Sequence, residues 1–438
     1  MKVAFYTLGC KVNQYETNGM IQNFKENNYE IVNFEDVADI YIVNTCTVTN
    51  IADRKSRQFL RQAKKNNSKS IIVAVGCYVK VARNIVEQIE EIDLCVDNDN
   101  KINIVKIVED YIENKKIQYD ETQGYKDFGD VTYTEKSRAV IKVQDGCDMF
   151  CSYCIIPYAR GRVRSRSPKS VISEITKISK KGIKEVVITG IHVASYGKDF
   201  DEKFDFIDLL EQINKSEGIE TIRLGSIEPK FFNDENLERI SNISKVVHHF
   251  HLSLQSGCTN TLKRMNRKYT AEEFEKIVEN IREKLDRTIL TTDIIVGFPG
   301  ETEEEFEETT KFLEKIKFFK MHIFKYSQRD GTVASKMPNQ VLPQIKEKRS
   351  NVLLELSDKN EKEYLQDYIG KKVEVLFEEE KNGYFYGHTD NFIIVKEEST
   401  EDISNEIKMV EIQKIEDLNL IGKMLQFWNK NETKLKYK

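Results

Sequence analysis

Three cysteines lie close together in the middle of the chain, Cys147, Cys151 and Cys154, with a C-x3-C-x2-C spacing. Three thiolates at this spacing can hold three irons of a four-iron cluster, which leaves the fourth iron without a protein ligand. A cluster that only carries electrons usually has four cysteine ligands, whereas an open metal position is where a substrate or cofactor binds. The spacing therefore predicts a cluster that takes part in chemistry.

Two other interpretations of this loop have to be weighed. Zinc would need a fourth Cys or His ligand, and the nearest histidine along the chain is His192. A disulfide beside a spare thiol would require an oxidising compartment, which nothing else in the sequence suggests. The open iron-sulfur site is the favoured interpretation.

A second group of cysteines shares one structural context. Cys10 ends the run TLGC, Cys46 ends VNTC and Cys77 ends AVGC, each where a predicted strand gives way to a loop before a helix. The carboxyl ends of neighbouring parallel strands lie together and line the ligand crevice. A second three-cysteine cluster is one interpretation, and three separate small buried side chains is the other. Cys95 and Cys258 fit neither triple and are predicted to be core or loop residues.

Composition limits the class of protein. The chain has 438 residues, which is enough for two or three domains. Its net charge of -5 does not indicate nucleic-acid binding by the surface as a whole. It has neither a signal-peptide pattern nor a long apolar run, so we expect a cytoplasmic protein without a membrane span. Eight cysteines in such a chain indicate a reducing compartment and metal ligation.

The elements that must position these cysteines follow an α/β pattern. Residues 1–113 alternate the strands KVAFYTL, ADIYIVNT, SIIVAVG and IDLCV with helices at about 14–27, 51–65, 79–91 and 101–113, which predicts a parallel sheet. Residues 114–135 are polar and aperiodic and are predicted to be a linker.

The rest of the chain divides in two. Residues 136–365 carry six strand-helix units, with strands RAVIKV, KEVVITG, TIRLGSI, HHFHLSL, TTDIIVG and KMHIFKY, and are predicted to form a partial (β/α) barrel. The first cysteine loop follows RAVIKV, at the end where such barrels collect catalytic groups. Residues 366–430 carry the short strands KKVEVLF, GYFYGHT and NFIIVKE and are predicted to form a small β-barrel.

Four motifs in this order, TLGCKVNQYET, VNTCTVTNIADRKSRQ, AVGCY and VQDGCDMFCSYCIIPYARGRVRSR, closely resemble those of the radical SAM (S-adenosylmethionine) methylthiotransferases. The resemblance covers essentially the whole chain. It implies an N-terminal methylthiotransferase domain, a radical SAM barrel and a C-terminal TRAM domain. It also implies two [4Fe-4S] clusters, an auxiliary one on Cys10, Cys46 and Cys77 and a SAM-binding one on the other triple.

The first motif indicates a branch of this family. It reads TLGCKVN here, whereas the enzyme acting on isopentenyladenosine usually reads TxGCQMN and the ribosomal-protein S12 enzyme SLGCPKN. The resemblance implies methylthiolation at C2 of N6-threonylcarbamoyladenosine beside the tRNA anticodon, with tRNA as partner and an external electron donor. The alternatives are a related tRNA adenosine, a ribosomal-protein aspartate, or an electron carrier or RNA-binding protein without turnover.

Several other residues are candidate SAM contacts because they lie beside the cysteine motif or at predicted strand ends. A turn or core role explains each of them as well, and His192 could simply be a hydrogen-bonded residue at the barrel mouth. The candidates are Tyr153, Thr189, Gly190, His192, Glu228, Gln255 and Asp293.

Three basic runs begin downstream of predicted strand ends and could contact RNA phosphates, although a solvated helix face explains the first equally well. Parts of the second run could instead hold SAM or acidic partners. Tyr384, Phe385 and Tyr386 are candidates for base stacking or for core. The runs are Arg54, Lys55, Arg57, Arg61, Lys64 and Lys65; Arg160, Arg162, Arg164 and Arg166; and Lys263, Arg264, Arg267 and Lys268.

Overall fold

The computed structural model describes residues 1–122, 124–134 and 138–425. The chain forms a parallel sheet, a partial barrel and a closed β-barrel, in that order. This confirms the predicted α/β class with a small terminal β-barrel. The predicted end of the linker at residue 135 and of the last domain at residue 430 lie outside the described residues.

The N-terminal sheet has five parallel strands. They are β1 (Lys2–Thr7), β2 (Glu30–Val32), β3 (Ile40–Thr45), β4 (Ile71–Gly76) and β5 (Leu94–Val96). Their order is β2-β1-β3-β4-β5. Four of them match the predicted strands, and the edge strand β2 was not predicted because three residues are too few to show a period.

The helices of this unit differ from the prediction in two places. The predicted helix at 79–91 is wrong, since the chain forms two short helices that break at Ala82, whose φ of -125° is not helical. The predicted helix at 101–113 begins as a 3-10 helix, Asn98–Asn103. The α-helices are α1 (Lys11–Glu26), α2 (Asn50–Asn66), α3 (Cys77–Val81), α4 (Arg83–Val86) and α5 (Ile104–Ile112).

The predicted linker contains no helix or strand in its described residues, yet it is packed against both neighbours. Tyr125 donates a hydrogen bond to the carbonyl of Lys142 at 2.9 Å. The ring of Phe128 lies over Gly19, where a Cβ would come within 2.6 Å of it. The segment therefore contacts both the N-terminal unit and the barrel and connects them.

The barrel strands lie side by side in one curved sheet that does not close on itself. Gly225 alone separates β10 from β11, and these two join the sheet β10-β9-β6 to the sheet β11-β12-β13-β14. The predicted six-unit partial barrel is confirmed. The barrel strands are β6 (Arg138–Lys142), β9 (Glu185–Thr189), β10 (Thr221–Leu224), β11 (Ser226–Ile227), β12 (His249–Gln255), β13 (Ile289–Val296) and β14 (Lys320–Lys325). Two further short strands, β7 (Gln144–Asp145) and β8 (Arg164–Ser165), pair with each other in a separate antiparallel sheet.

The barrel helices bury one apolar face against these strands. On α11, for example, Phe274, Val278 and Ile281 recur at helical spacing and are all buried. Within the described residues, no helix is long and apolar enough to cross a membrane. The helices are α6 (Ile156–Arg160), α7 (Pro168–Lys180), α8 (Phe206–Asn214), α9 (Asp234–Ser241), α10 (Thr259–Arg264), α11 (Ala271–Lys284), α12 (Glu303–Ile316) and α13 (Pro343–Gln366).

The C-terminal unit is a closed five-stranded barrel in the order β15-β16-β17-β19-β18. Three strands match the predicted ones. The last two were not predicted because charged residues interrupt their apolar alternation. The strands are β15 (Lys372–Lys381), β16 (Tyr384–Thr389), β17 (Ile394–Glu398), β18 (Ile407–Glu416) and β19 (Asn419–Met424).

A buried histidine joins the C-terminal barrel to the partial barrel. His388 on β16 contacts Glu185 through Nε2 and Glu378 through Nδ1, both at 2.7 Å. Burial alone would lower the pKa of His388, but the hydrogen bonds to Glu185 and Glu378 outweigh it and raise the pKa above its ordinary value. The histidine is therefore held as a cation between two carboxylates.

Alkaline pH is expected to weaken this docking. A raised folded-state pKa means that the stabilisation is complete below the unfolded value of about 6.5 and is lost as the pH rises through the folded value. The thermal unfolding midpoint should fall between pH 6 and pH 9 at constant ionic strength. His388→Gln should flatten this slope, and an equally steep slope in that variant would contradict the assignment.

Candidate functional site

Backbone geometry fixes the Cys147 loop. Gly146 has a φ of 71°, and a Cβ there would lie 1.8 Å from the carbonyl oxygen of Arg162, so only glycine fits. The Cys147 amide donates to the carbonyl of Gly161 at 3.1 Å. Ser152 donates its amide to the carbonyl of Met265 at 3.0 Å. The loop is thus held from both sides at the carboxyl end of the first barrel strand.

Hydrogen-bond donors point at all three of its sulfurs, and the Ile156 amide is the donor to Cys154. The Met149 amide lies 3.5 Å from the Cys147 sulfur, and the Arg267 guanidinium lies 3.4 Å from the Cys151 sulfur. Burial, followed by the charges of Cys151 and Cys147, raises the pKa of Cys154 to about 12 despite an opposing backbone hydrogen bond. Close thiolates that repel one another in this way are stabilised by a cationic metal group.

The second triple lies at the ends of three adjacent parallel strands. Cys10 is the N-cap of α1 after β1, Cys46 follows β3, and Cys77 begins α3 directly after β4. Gly9, with a φ of 98°, lies so close to Cys46 that a Cβ would be 2.9 Å from its sulfur. Burial first, and then the charges of Cys77 and Cys10, raise the pKa of Cys46 to about 11. The structure brings the three predicted thiols together.

Helix α6 lies between the two triples. It begins two residues after Cys154, and its Ala159 carbonyl accepts a 2.8 Å hydrogen bond from Asn98. The same amide nitrogen of Asn98 lies 3.6 Å from the sulfur of Cys77. The triple of the Cys147 loop and the triple of the N-terminal sheet are therefore neighbours across one short helix.

A buried charge network fixes this arrangement. Arg160 on α6 binds both carboxylate oxygens of Glu16 on α1, at 2.8 and 3.0 Å. Glu16 also accepts from Lys101 at 2.6 Å and from Lys142 at 2.7 Å, and Lys142 reaches Asp145 at 2.6 Å. Burial opposes ionisation, but Arg160, Lys101 and Lys142 hold the pKa of Glu16 well below its usual range. Sequence patterns did not reveal this network, because its members lie far apart along the chain.

The donor set fits iron-sulfur clusters. All eight cysteines are free thiols. Within the described residues, no three His, Cys, Asp or Glu side chains surround a position for a single metal ion. A four-iron cluster carries each thiolate on a different iron, so its cysteines need not converge on one point. N–H donors reach five of the six sulfurs, and contacts of this kind tune such clusters.

Three of the predicted SAM contacts, Thr189, Gly190 and Asp293, line a cavity of about 760 Å³ inside the barrel, which Cys10 also lines. Tyr153 is half-buried in the cysteine loop, where its ring meets the edge of Phe298. These four candidates thus lie at the barrel mouth or in the loop itself.

The remaining candidates, Glu228, Gln255 and His192, each have either a buried polar atom without a partner among the described residues or a strained backbone. Glu228 accepts from Arg267 at 2.9 Å, which ties it to the cysteine loop, and its other carboxylate oxygen is buried without a partner among the described residues. Gln255 has a φ of 76°, a left-handed conformation that is strained for any residue carrying a Cβ. His192 shares a 2.6 Å hydrogen bond with Ser195, while its Nε2 is buried and unpartnered within the described chain. Burial, then Lys198 and Arg267, lowers the pKa of His192 to about 4, so the ring is neutral.

The predicted basic runs have different outcomes. Arg54, Lys55, Arg61 and Lys65 are exposed on one face of α2. For Arg160 and Arg166 the alternative of acidic partners is confirmed, since both side chains are buried in ion pairs with glutamates. The prediction of an RNA contact is wrong for Arg267, whose side chain is buried in an ion pair with Glu228. Of the aromatic candidates, Phe385 is core, whereas Tyr386 is partly exposed between Lys381 and Lys396.

A partial β/α barrel with an open three-cysteine loop is the arrangement of the radical SAM superfamily, whose model matches residues 141–313. A model described as uncharacterized protein family UPF0004 matches residues 2–97. A threonylcarbamoyladenosine tRNA methylthiotransferase (MtaB) of Bacillus subtilis is 40% identical over 94% of this chain and 94% of its own length. Its counterpart from Aquifex aeolicus is 42% identical over 94% of this chain and 100% of its length.

A tRNA-2-methylthio-N(6)-dimethylallyladenosine synthase of Thermoanaerobacter pseudethanolicus is 37% identical over 85% of this chain and 81% of its length. The chain belongs to the radical SAM methylthiotransferase family. Membership implies SAM and a [4Fe-4S] cluster as cofactors. The solved radical SAM methyltransferase TsrM of Kitasatospora setae, with a TM-score of 0.56 at 15% identity over 76% of this chain and 74% of its own, shares the fold.

Proposed function

We propose that this methylthiotransferase acts on tRNA and modifies C2 of N6-threonylcarbamoyladenosine next to the anticodon. The observation that carries the proposal is the pair of cysteine triples held as neighbours across α6. The names of the relatives that match nearly the whole chain supply the substrate class. We also propose a cytoplasmic location, where tRNA is found, and an external electron donor.

We assign Cys147, Cys151 and Cys154 to the SAM-binding cluster, and Cys10, Cys46 and Cys77 to an auxiliary [4Fe-4S] cluster. When bound, these groups supply a radical able to attack an unactivated C–H bond and the sulfur that is transferred. The proposed domain division is 1–113, 114–135, 136–365 and 366–430. The proposed SAM contacts are Tyr153, Thr189, Gly190, His192, Glu228, Gln255 and Asp293.

The chain's own residues contribute position and exclusion of water. Arg267 orients Glu228 and donates to the Cys151 sulfur. Neutral His192 offers a buried ring nitrogen at the barrel mouth without adding charge. The cavity of about 760 Å³ falls within the range typical of small-molecule sites and suits one nucleoside turned out of its RNA stack. The exposed basic face of α2 is suited to the RNA backbone.

Nucleoside mass spectrometry of tRNA from a deletion strain tests the proposal. We expect the 2-methylthio derivative of threonylcarbamoyladenosine to disappear, to return with the wild-type gene and to stay absent with a Cys151→Ala gene. Unchanged tRNA nucleosides together with the loss of a modified ribosomal peptide would support methylthiolation of a protein aspartate instead.

A further inference from the structure

The barrel cavity is bounded by all three units of the fold. Cys10 and Lys11 contribute from the start of α1, Arg223 and Asp293 from barrel strands, and Phe392 from the C-terminal barrel. An adjoining cavity of about 210 Å³ shares Lys11, Arg223 and Phe392. The end of the cavity near Phe392 therefore presents two cationic side chains.

Arg223 is buried without an anion. Its residue is only 6% exposed, and its guanidinium stacks over the ring of Phe392. Within the described residues, its Nε has no hydrogen-bond partner and its guanidinium forms no ion pair. Burial, only partly offset by the more distant Glu185, lowers the pKa of Arg223 to about 9. A buried charge without a partner is costly, so a cation kept in this way suggests a ligand that neutralises it.

The nearest carboxylates have other partners, although one oxygen of Glu185 is buried without a hydrogen-bond partner among the described residues. Glu185 and Glu378 both bind His388, and Glu378 also binds Arg138 at 3.0 Å. Arg138 is thereby neutralised, whereas Arg223 is not. Among the described residues no carboxylate therefore forms an ion pair with Arg223, and its charge is offset only from a distance by Glu185 and Glu378.

Lys11 adds a second unpaired cation. The residue is exposed at the start of α1 and lines both cavities together with Arg223. It forms no ion pair among the described residues. A guanidinium and an ammonium at one end of this cavity form a site for a carboxylate, which Arg can bind through two parallel hydrogen bonds.

We propose that Lys11 and Arg223 bind the carboxylate of the threonylcarbamoyl group and so determine the substrate of this enzyme. This inference rests on the proposed function. Cys10 lines the same cavity, so a nucleoside whose carboxylate lies against Arg223 has its adenine ring directed toward the N-terminal cysteine triple. A substrate with an apolar N6 group would leave both cations unpaired and would be disfavoured.

Anticodon stem-loop RNAs test this inference with the reconstituted enzyme. One RNA carries threonylcarbamoyladenosine, and a second carries its methyl ester, which removes the charge at the cost of one added methyl group. We expect the wild type to bind the acid at least about 10-fold more tightly. Arg223→Gln and Lys11→Gln should each reduce this preference several-fold and leave ester binding unchanged. Lys311→Gln, on an exposed helix face, is the matched charge control and should keep the preference.

Other sources of the anion predict different results. If the cations serve the carboxylate of SAM, the variants will weaken SAM binding and keep the acid preference, and if they serve an RNA phosphate, acid and ester will weaken equally. Either result overturns the inference. A structural role for Arg223 would lower the urea midpoint of Arg223→Gln, whereas loss of an unpaired buried charge should leave the midpoint unchanged or raise it.

The wild type separates this inference from the proposed function. If it neither binds nor methylthiolates the threonylcarbamoyl RNA, the proposed function fails. If the wild type binds and methylthiolates this RNA while Arg223→Gln keeps the full acid preference, the proposed function is supported and only the carboxylate site is refuted.

Discussion

Replacement of Cys10, Cys46 and Cys77 together by alanine is expected to abolish methylthiolation and to leave SAM cleavage intact. The Cys147 loop has its own anchors to Gly161 and Met265, so it should still assemble its cluster. Anaerobically reconstituted wild type should hold about eight irons and the variant about four. Under reduction, the variant should still release 5′-deoxyadenosine, measured by liquid chromatography, at a rate within a few-fold of the wild type.

The reciprocal variant and a cysteine control complete this experiment. Alanine at Cys147, Cys151 and Cys154 should remove both 5′-deoxyadenosine and the methylthio product, because no SAM-binding iron remains. Cys95→Ala changes a buried cysteine on β5 outside both triples and should keep about eight irons. A wild type with only about four irons, or full methylthiolation by the N-terminal triple variant, would contradict the second cluster.

Glu16→Ala is expected to be the most destabilising single substitution near the site. It removes the acceptor shared by Lys101, Lys142 and Arg160, which are all buried. Loss of one partner from a buried charge network leaves uncompensated charge and costs about 3–5 kcal/mol of unfolding free energy. Because the network joins α1 to the barrel, the variant should also lose methylthiolation as the two triples separate. Urea unfolding measures the loss of stability, and mass spectrometry of the methylthio product measures the loss of activity.

A matched control lies on the same helix. Glu26 is exposed, and within the described part of the chain its side chain accepts a hydrogen bond only from Gln22, so Glu26→Ala should change the urea midpoint little. Glu16→Gln keeps shape but not charge and should fall between the two. Equal midpoints for Glu16→Ala and Glu26→Ala would show that the network does not hold the units together.

The same network predicts acid sensitivity. Burial opposes ionisation of Asp145, but Arg160 and Lys142 lower its pKa to about 2, and Glu16 is lowered as well. Carboxyls with a depressed folded-state pKa stabilise the protein above their ordinary value, and this stabilisation is lost as the pH falls. The unfolding midpoint should therefore fall as the pH is lowered from about 4 toward 2, and less steeply in Glu16→Gln.

Periodic patterns predicted most of the fold. Long amphipathic helices such as α11 and apolar strands such as β3 and β13 show a hydrophobic pattern within their own residues. Each segment could therefore be predicted as helix or strand from that pattern alone. The edge strand β2 and the broken helices α3 and α4 were missed because elements of three to five residues show no period. The last two strands of the closed barrel, β18 and β19, were missed because they carry charged residues and are stabilised by pairing with strands distant in sequence.

The cysteine chemistry could be predicted from the sequence because ligand type and spacing are local properties. The Cys147 loop shows its three thiols side by side, and the strand-end context of Cys10, Cys46 and Cys77 indicated that they meet. The residues that surround the cysteines could not be found in this way. Arg160 and Arg267 resembled an RNA-facing surface in the sequence, and the structure buries both in ion pairs.

The sequence alone determined the family, the two thiol triples and the order of the three units, since these depend on residue type and short-range spacing. Only the tertiary structure decided which charges are paired. Arg138 and Arg223 lie on neighbouring stretches of the barrel, yet one meets Glu378 and the other meets none among the described residues. The reason is physical: the energy of a charge depends on burial and on partners brought together by folding, and no local pattern records either.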